Sequence, residues 1–328
     1  MKTTTFCLCI EAGILEWQAL LLCQSIRRFG GRYAQTPIVA VRPRFGPEIS
    51  TEVRRRLAAL DVRYVSGHFV GAYHWLPHLN KAAALAMLER EAKTEFITWL
   101  DSDMAFVREP EGLIPDAPFD YAARAGEGDM GSDGADVNAP YWDAVSKLAG
   151  LDFRAFPIVE SWPEGRPMRG YLHGGVFTFR TDLGYGAKHL DYFKRIADAR
   201  LSSQTCGVYH TDQVAQSLAA HAVAKTVRTY HWSLNYDFGL KPAPEEVVER
   251  VRDCKVLHYH DGLLPENAAN ARAMLARGLL PSDAAALIEE FTPLTVTRMA
   301  PAPRLMRKAL NVVRRERLER HKRDCAIL

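Results

Sequence analysis

Between Phe6 and Leu100 the chain alternates short apolar runs with longer segments whose apolar residues recur three or four positions apart. Runs of the first kind are strands buried on both faces, and segments of the second kind are helices with one apolar stripe. Phe6–Ile10, Pro37–Val41, Val62–Val65 and Phe96–Leu100 read as strands. Ile14–Phe29 reads as a helix, with Leu15, Ala19, Leu22, Cys23 and Ile26 in step and Gly30-Gly31 as its stop. Pro47–Leu60 reads as a second helix, and Lys81–Ala92 as a third with Asn80 as its cap. This order excludes an all-helical or all-β domain. It predicts a doubly wound α/β sheet whose ligands bind beyond the carboxyl ends of its strands.

Further on, Gly126–Asn138 is rich in Gly and Asp, has no period, and reads as a flexible loop of the length of a lid or acceptor loop. Tyr171–Phe179, with Gly174-Gly175 inside it, reads as a strand. Helices are expected over Leu183–Leu201, Thr211–His221 and Ala243–Arg252, strands near Val223–Thr229 and Lys255–His258, and helices from Glu266 onward. The 328 residues suffice for two domains, or one large α/β domain with additions. A chain 48% hydrophobic and 25% charged is neither collagen-like, nor disordered, nor a disulfide scaffold. Its six cysteines, at 7, 9, 23, 206, 254 and 325, lack metal or disulfide spacing and fit a reducing compartment. Cys7 and Cys9 lie two apart and are expected to face the same way as packed small hydrophobes. No signal peptide and no span of roughly 20 apolar residues is apparent, so a cytoplasmic protein is expected.

The chemistry concentrates at Asp101-Ser102-Asp103, directly after the Phe96–Leu100 run. Two carboxylates one residue apart, where a buried strand opens into a cleft, are costly to hold together. A hard divalent cation relieves the repulsion and keeps positions open for phosphate oxygens. The plainer reading is a turn with two solvated aspartates. Haloacid-dehalogenase-type phosphatases share the local pattern but carry Thr or Val four residues after the first Asp, where this chain has Ala105.

Five stretches make the chain resemble a nucleotide-diphospho-sugar glycosyltransferase of the GT-A fold. They are Asn80-Lys81, WLDSDM at Trp99–Met104, YLHGGVFTF at Tyr171–Phe179, HTDQVAQ at His210–Gln216 and VLHYHDG at Val256–Gly262. Their order is similar to that of the retaining family of glycogenin and the bacterial lipooligosaccharide galactosyltransferases, over roughly residues 6–265. The resemblance implies Mn2+ or Mg2+ held by Asp101, Asp103 and His258, with Asp101 also near the ribose. His260, two residues on, competes with His258 for the third place. Lys81 is implied at the diphosphate. His173, Gly174 and Gly175 would line the donor sugar, with backbone approaching it closely. Asp212 would accept from sugar hydroxyls, and Gln213 would lie near the anomeric carbon. The implied donor is a nucleotide-diphosphate sugar, a UDP-sugar first, and the acceptor a hydroxyl of a saccharide or glycolipid. Three departures leave base, sugar and stereochemistry open: Glu11-Ala12-Gly13 replaces the family's Asp-x-Asn-Tyr-like motif, His173 replaces an Asn, and a Lys-Pro-Trp ending is missing. For an inverting reaction Glu160, Asp212 and His173 are the candidate bases. Tyr141, Trp142 and Trp162 are candidates to stack on an acceptor sugar.

Pro303–Arg323 holds nine basic and two acidic residues, in a chain whose net charge is only +3. Met306, Leu310 and Val313 recur on one face, so the segment reads as a basic amphipathic helix suited to an anionic membrane surface, or as a solvated terminal helix. No nucleic acid is expected as a partner. Cys325-Ala326-Ile327-Leu328 matches a prenylation box, a chance match in the bacterium that the Ala- and Arg-rich composition suggests. The expected units are a glycosyltransferase domain at 1–265, with a donor half to about 110 and an acceptor half from 111, a helical extension at 266–302 and the basic tail at 303–328. Two other functions compete. A nucleotidyltransferase of sugar phosphates would carry a Gly-rich basic loop where Glu11-Ala12-Gly13-Ile14 stands. A non-catalytic sugar-nucleotide or membrane scaffold would have no need of both aspartates, the Asp212-Gln213 pair and His258.

Overall fold

The computed structural model describes residues 2–238, 245–296 and 299–328. The N-terminal third alternates as the hydrophobic pattern predicts: β1 (Thr4–Cys9), α1 (Ile14–Phe29), β2 (Ile38–Arg42), α2 (Thr51–Ala59), β3 (Val62–Ser66), α3 (Leu79–Glu89) and β4 (Phe96–Leu100). β3, β2, β1 and β4 pair in that spatial order, all parallel. The chain continues through β5 (Met104–Phe106), β6 (Tyr121–Ala125), α4 (Ala139–Leu148) and a hairpin of β7 (Ile158–Glu160) and β8 (Pro167–Arg169). Next come β9 (Leu172–Arg180), α5 (Tyr185–Asp198), β10 (Leu201–Ser202), α6 (Thr211–Val223) and β11 (Val227–Thr229). β9 runs antiparallel between β4 and β6, and β11 is parallel to β6, completing a mixed seven-stranded sheet. The expected donor and acceptor halves thus contribute strands to one sheet.

Both faces of the sheet's centre are covered, which is why β1, β2 and β4 read as near-continuous apolar runs. On one face Phe6, Leu8, Phe96 and Leu100 pack with Leu22 and Ile26 of α1 and Leu57 of α2. On the other, Cys7, Ile97 and Trp99 meet Leu85 of α3, Phe193 of α5 and Leu218 of α6, and Cys9 lies on this same side. The period-two placement of the two cysteines therefore holds, and all six cysteines are free thiols.

The remaining elements are β12 (Tyr236–Asp237), α7 (Glu245–Glu249), β13 (Val256–His258), α8 (Ala268–Leu275), α9 (Ser282–Glu290), α10 (Pro301–Asp324) and β14 (Ala326–Ile327). Residues 243 and 244 of the expected Ala243–Arg252 helix lie outside the described residues. β13 pairs parallel with β12 and antiparallel with β5, forming a small sheet at the carboxyl end of β4. None of the described helices is long and apolar enough to cross a membrane.

Several local expectations differ from the structure. His78, at φ 64°, precedes α3, and Asn80 lies inside the first turn, its amide donating to Glu11 instead of capping. α2 begins only at Thr51, because Ser50 caps it by accepting from the Val53 amide. Gly126–Asn138 has no helix or strand, yet it is pinned: Asn138 donates to the Asp129 and Gly131 carbonyls at 2.9 and 3.0 Å. In α10 Met306 and Leu310 turn toward the body, whereas Val313 is exposed. The last residues are not a free tail. β14 pairs in parallel with β10, and the Leu328 amide donates to Ser202 O at 2.9 Å.

α3 and α5 approach closely at Gly186, where a Cβ would sit 2.7 Å from the Leu85 carbonyl carbon and 2.8 Å from the Ala86 nitrogen. The obstruction is backbone, so it cannot rotate aside. Gly186→Ala is expected to lower the unfolding free energy by about 1–3 kcal/mol, read by urea denaturation. An unchanged midpoint would show that the two helices separate freely.

Candidate active site

The carboxyl end of β4 is where the sequence places its chemistry, and three interactions shape it. The Asp101 amide donates to Gly175 O at 2.9 Å, tying the strand end to β9. Ser102 Oγ donates to the Cys9 carbonyl at the end of β1. The chain then turns directly into β5, whose Met104 stands opposite His258 of β13 in antiparallel register. That register, with the Tyr259 amide donating to Asp103 O at 3.0 Å, sets Asp103 beside His258 across 155 residues of sequence.

Asp103 Oδ1 lies 3.3 Å from His258 Nε2 and its Oδ2 lies 3.9 Å from His260 Nδ1. His258 Nδ1 donates to Asn235 Oδ1 at 3.1 Å, and His260 Nε2 donates to Asp237 Oδ1 at 3.0 Å. Each imidazole therefore has one nitrogen oriented by an acceptor and the other turned toward Asp103, as metal-ligating histidines are normally held. His260 reaches this place through a left-handed backbone, φ 47°, uncommon for a residue with a Cβ. Asp103, His258 and His260 can offer one ligand atom each, all within 4.8 Å of one another. The mixed nitrogen and oxygen donors, with their second nitrogens already satisfied, fit a divalent cation such as Mn2+. Burial pushes His258 down, but the Asp103 carboxylate outweighs it and its pKa is raised, while Asp103 itself is held well below the usual carboxylate range.

Around this group runs a continuous polar circuit. Asn235 donates to His173 Nδ1, which also accepts from the Gly175 amide at 2.9 Å. His173 Nε2 then faces Glu127 Oε1 at 3.4 Å. Arg124, only 1% exposed, bonds Glu127 at 2.6 Å and Asp237 at 3.1 Å, and Asp237 returns the circuit to His260. Burial, reinforced by Arg124, keeps the His173 pKa well below its ordinary value, so that ring is neutral. Asp237, Arg124, Glu127 and Asn235 carry no motif in the sequence. The one available signal was the alternation Asn235-Tyr236-Asp237, which in a strand puts both polar side chains on one side.

Asp101 is placed elsewhere. Its Oδ1 accepts from the Trp99 indole at 2.7 Å and lies 3.2 Å from Lys81 Nζ, and among the described residues it belongs to no group of side chains that could hold a cation. Lys81 is buried, not an exposed helix-end lysine. Its ammonium donates to Gly174 O at 2.8 Å and to Asp212 Oδ2 at 3.2 Å, so its donors are committed to the protein itself. Burial alone would raise the Asp212 pKa, but Lys81 brings it down to about 2.

Gln213 Oε1 accepts from the Gly174 amide at 3.0 Å and its Nε2 meets His210 Nδ1 at 2.9 Å, pinning α6 to β9. Pairing between β6 and β9 slips between Ala123/Phe177 and Ala125/Leu172, and the Gly174-Gly175 pair lies inside this bulge. A Cβ on Gly174 would stand 2.9 Å from Lys81 Nζ, and one on Gly175 would stand 2.6 Å from Met104 Cε. In this fold the glycines make room for the side chains that build the site.

The other candidates separate. Glu160 is exposed on the β7–β8 hairpin. Tyr141 and Trp142 are fully buried core residues, not sugar platforms, with Trp142 donating to Met130 O at 2.9 Å. Trp162 is half-buried and stacks on Trp232 at 5.3 Å, beneath the Arg250 guanidinium at 4.9 Å.

The chain is similar to the galactosyltransferase LgtC, solved with donor and acceptor sugar analogues, at TM-score 0.49 and 13% identity over 92% of this chain and 99% of that one. It is similar to the bifunctional glycosyltransferase WbbM at TM-score 0.47 and 12% identity, over 94% of this chain and 51% of the other. The mouse xyloside xylosyltransferase 1 follows at 0.46 and 12%, over 79% and 98%. No curated protein matches the sequence. The Rhodobacterales glycosyltransferase domain model matches residues 6–224, and the chain belongs to that glycosyltransferase family.

Proposed function

We propose that this glycosyltransferase moves a hexose from a nucleotide-diphosphate sugar, a UDP-sugar first, to a hydroxyl of a saccharide or lipid-linked acceptor, with a divalent cation bound. The observation that carries the reading is the Asp103–His258–His260 group, with Asn235 and Asp237 orienting the two rings. A cation held there would offset the charge that builds on the departing diphosphate. Asp212, locked by Lys81 beside Gly174, is placed to accept from the donor sugar's hydroxyls. The Trp162–Trp232 stack, adjoining the circuit through Arg124 and the Trp162 carbonyl at 3.4 Å, suits an acceptor sugar face.

The engagement of the candidate bases supports retention of configuration. An inverting reaction needs a free base beside the acceptor oxygen. Glu160 is exposed on its hairpin with no contact to the circuit among the described residues, Asp212 is tied to Lys81, and both His173 nitrogens have partners. The outward face of α10 exposes Arg304, Lys308, Arg315 and Arg320 with Leu305 and Val312, which supports a peripheral place on an anionic membrane. In this reading the glycosyltransferase unit spans 1–265, followed by a helical extension at 266–302 and the basic tail at 303–328.

Two variants test the centre. Asp103→Ala is expected to abolish the Mn2+-dependent thermal stabilisation by UDP-, GDP- or dTDP-sugars and to lower kcat/KM by roughly 100-fold or more. Full stabilisation in the variant would refute the cation site. Lys81→Met leaves the buried Asp212 and the half-buried Asp101 without their cation and is expected to cost about 3–5 kcal/mol in chemical denaturation. Adding Asp212→Asn to Lys81→Met should recover part of that loss, and strict additivity of the two would show the pair to be uncoupled.

A further inference from the structure

α10, outside the segment that the family model matches, brings two arginines without a carboxylate partner among the described residues to the edge of the candidate site. A cavity of about 140 Å³ opens where β1 and β2 end, between Glu11, Ala12 and Arg44 on the sheet side and Arg307, Asn311 and Arg314 on α10. It adjoins the site already described. Glu11 accepts from Asn80, the neighbour of Lys81, and Cys9, two residues before Glu11, accepts from Ser102 between the two aspartates. α10 is strapped across this edge through its C-terminal turns. Arg317 meets His74 Nε2 at 3.3 Å, the His321 ring packs on Trp75 at 5.0 Å, and β14 then joins β10.

Of the four arginines lining the cavity, two are neutralised within the protein. Arg42 pairs with Glu48 and Arg44 with Glu11. Arg307 and Arg314 have no carboxylate within ion-pair distance among the described residues. The Arg307 guanidinium lies directly over Gly13, so close that a Cβ there would be 2.3 Å from its nitrogen. Arg314 donates to Phe45 O at 2.6 Å, but its Nε is buried without a partner, and burial pushes its pKa down, as does Arg44 beside it. Four guanidinium groups line the cavity against one carboxylate, Glu11, an excess of positive charge that a phosphate relieves, since the planar fork matches its oxygens. The catalytic centre needs such a contribution, because the Lys81 ammonium is already committed to Gly174, Asp212 and Asp101.

We propose that α10 forms one wall of the donor site and that Arg307 and Arg314 bind the phosphate oxygens of the nucleoside-diphosphate donor. The proposal rests on the donor reading above and adds to it a segment the family model does not include. It makes the cavity the nucleotide end of the donor, with the sugar reaching toward Gly174 and Asp212. Gly13 serves it by leaving space for Arg307.

The test is titration calorimetry with UDP, GDP and inorganic pyrophosphate in Mn2+, on the full chain. Arg307→Gln with Arg314→Gln should weaken whichever nucleoside diphosphate the wild type binds by about tenfold or more per arginine, weaken pyrophosphate in parallel, and leave uridine and guanosine binding unchanged. Mn2+ binding alone, followed by electron paramagnetic resonance, should be unaffected. Wild-type affinity in the double variant, or an equal loss for the nucleosides, overturns the proposal. Should the double variant fail to fold, Arg307→Lys and Arg314→Lys singly are expected to raise the donor KM at constant kcat, and an unchanged KM overturns it as well. Asp103→Ala run alongside separates the two readings: if it binds Mn2+ and nucleoside diphosphate normally, the cation site fails independently of the arginines.

Discussion

A single buried ammonium holds the centre of this molecule together. Lys81 comes from α3, is buried, and bonds a carbonyl of β9 and a carboxylate of α6 while facing the carboxylate that follows β4. An ammonium at such a depth is stable only with its counter-charges in place, and the two aspartates are tolerable only because it is there. Three elements distant in sequence are therefore fixed relative to one another by charge compensation as much as by apolar packing. The site inherits its geometry from that constraint, because Gly174, Asp212 and Asp101 cannot move independently.

A second charged core lies a few ångströms away and works in the same manner. Arg124 compensates Glu127 and Asp237, and these orient His173 and His260, whose neighbours Asn235 and His258 close the circuit onto Asp103. The two cores divide the labour. One holds the region assigned to the sugar and the other holds the region assigned to the cation. The bulge at His173–Gly175 lets both reach the same strand, because only glycine leaves space there for Lys81 on one side and Met104 on the other.

α10 shows what a reading of pattern alone leaves out. Its charge and apolar spacing suggested a helix for an anionic membrane surface or a solvated terminal helix. In the fold its inner side, through Arg307, Leu310 and Arg314, also helps to enclose a cavity at the end of β1. Asn80 is a similar case. Its position before a helical stretch suited a cap, but the nearby Glu11 offered a better partner than the helix amides. Tyr141 and Trp142 looked like loop aromatics, yet α4 turns them into the core.

Beyond the candidates Lys81, Asp212 and His258 that the family resemblance supplied, the sequence by itself determined the alternation of strands and helices, the two-sided burial of β1, β2 and β4, and the carboxylate pair Asp101 and Asp103 at the end of an apolar run. These properties are local. Periodicity and the ends of apolar runs are written in consecutive residues. Tertiary structure decided which charge meets which: Asp101 with Lys81 and Asp103 with the histidines, the entry of His260, Asp237 and Arg124, and the seating of α10 over the β1 edge. Those pairings depend on strand register and helix docking between segments up to about three hundred residues apart, and no spacing rule along the chain encodes such distances.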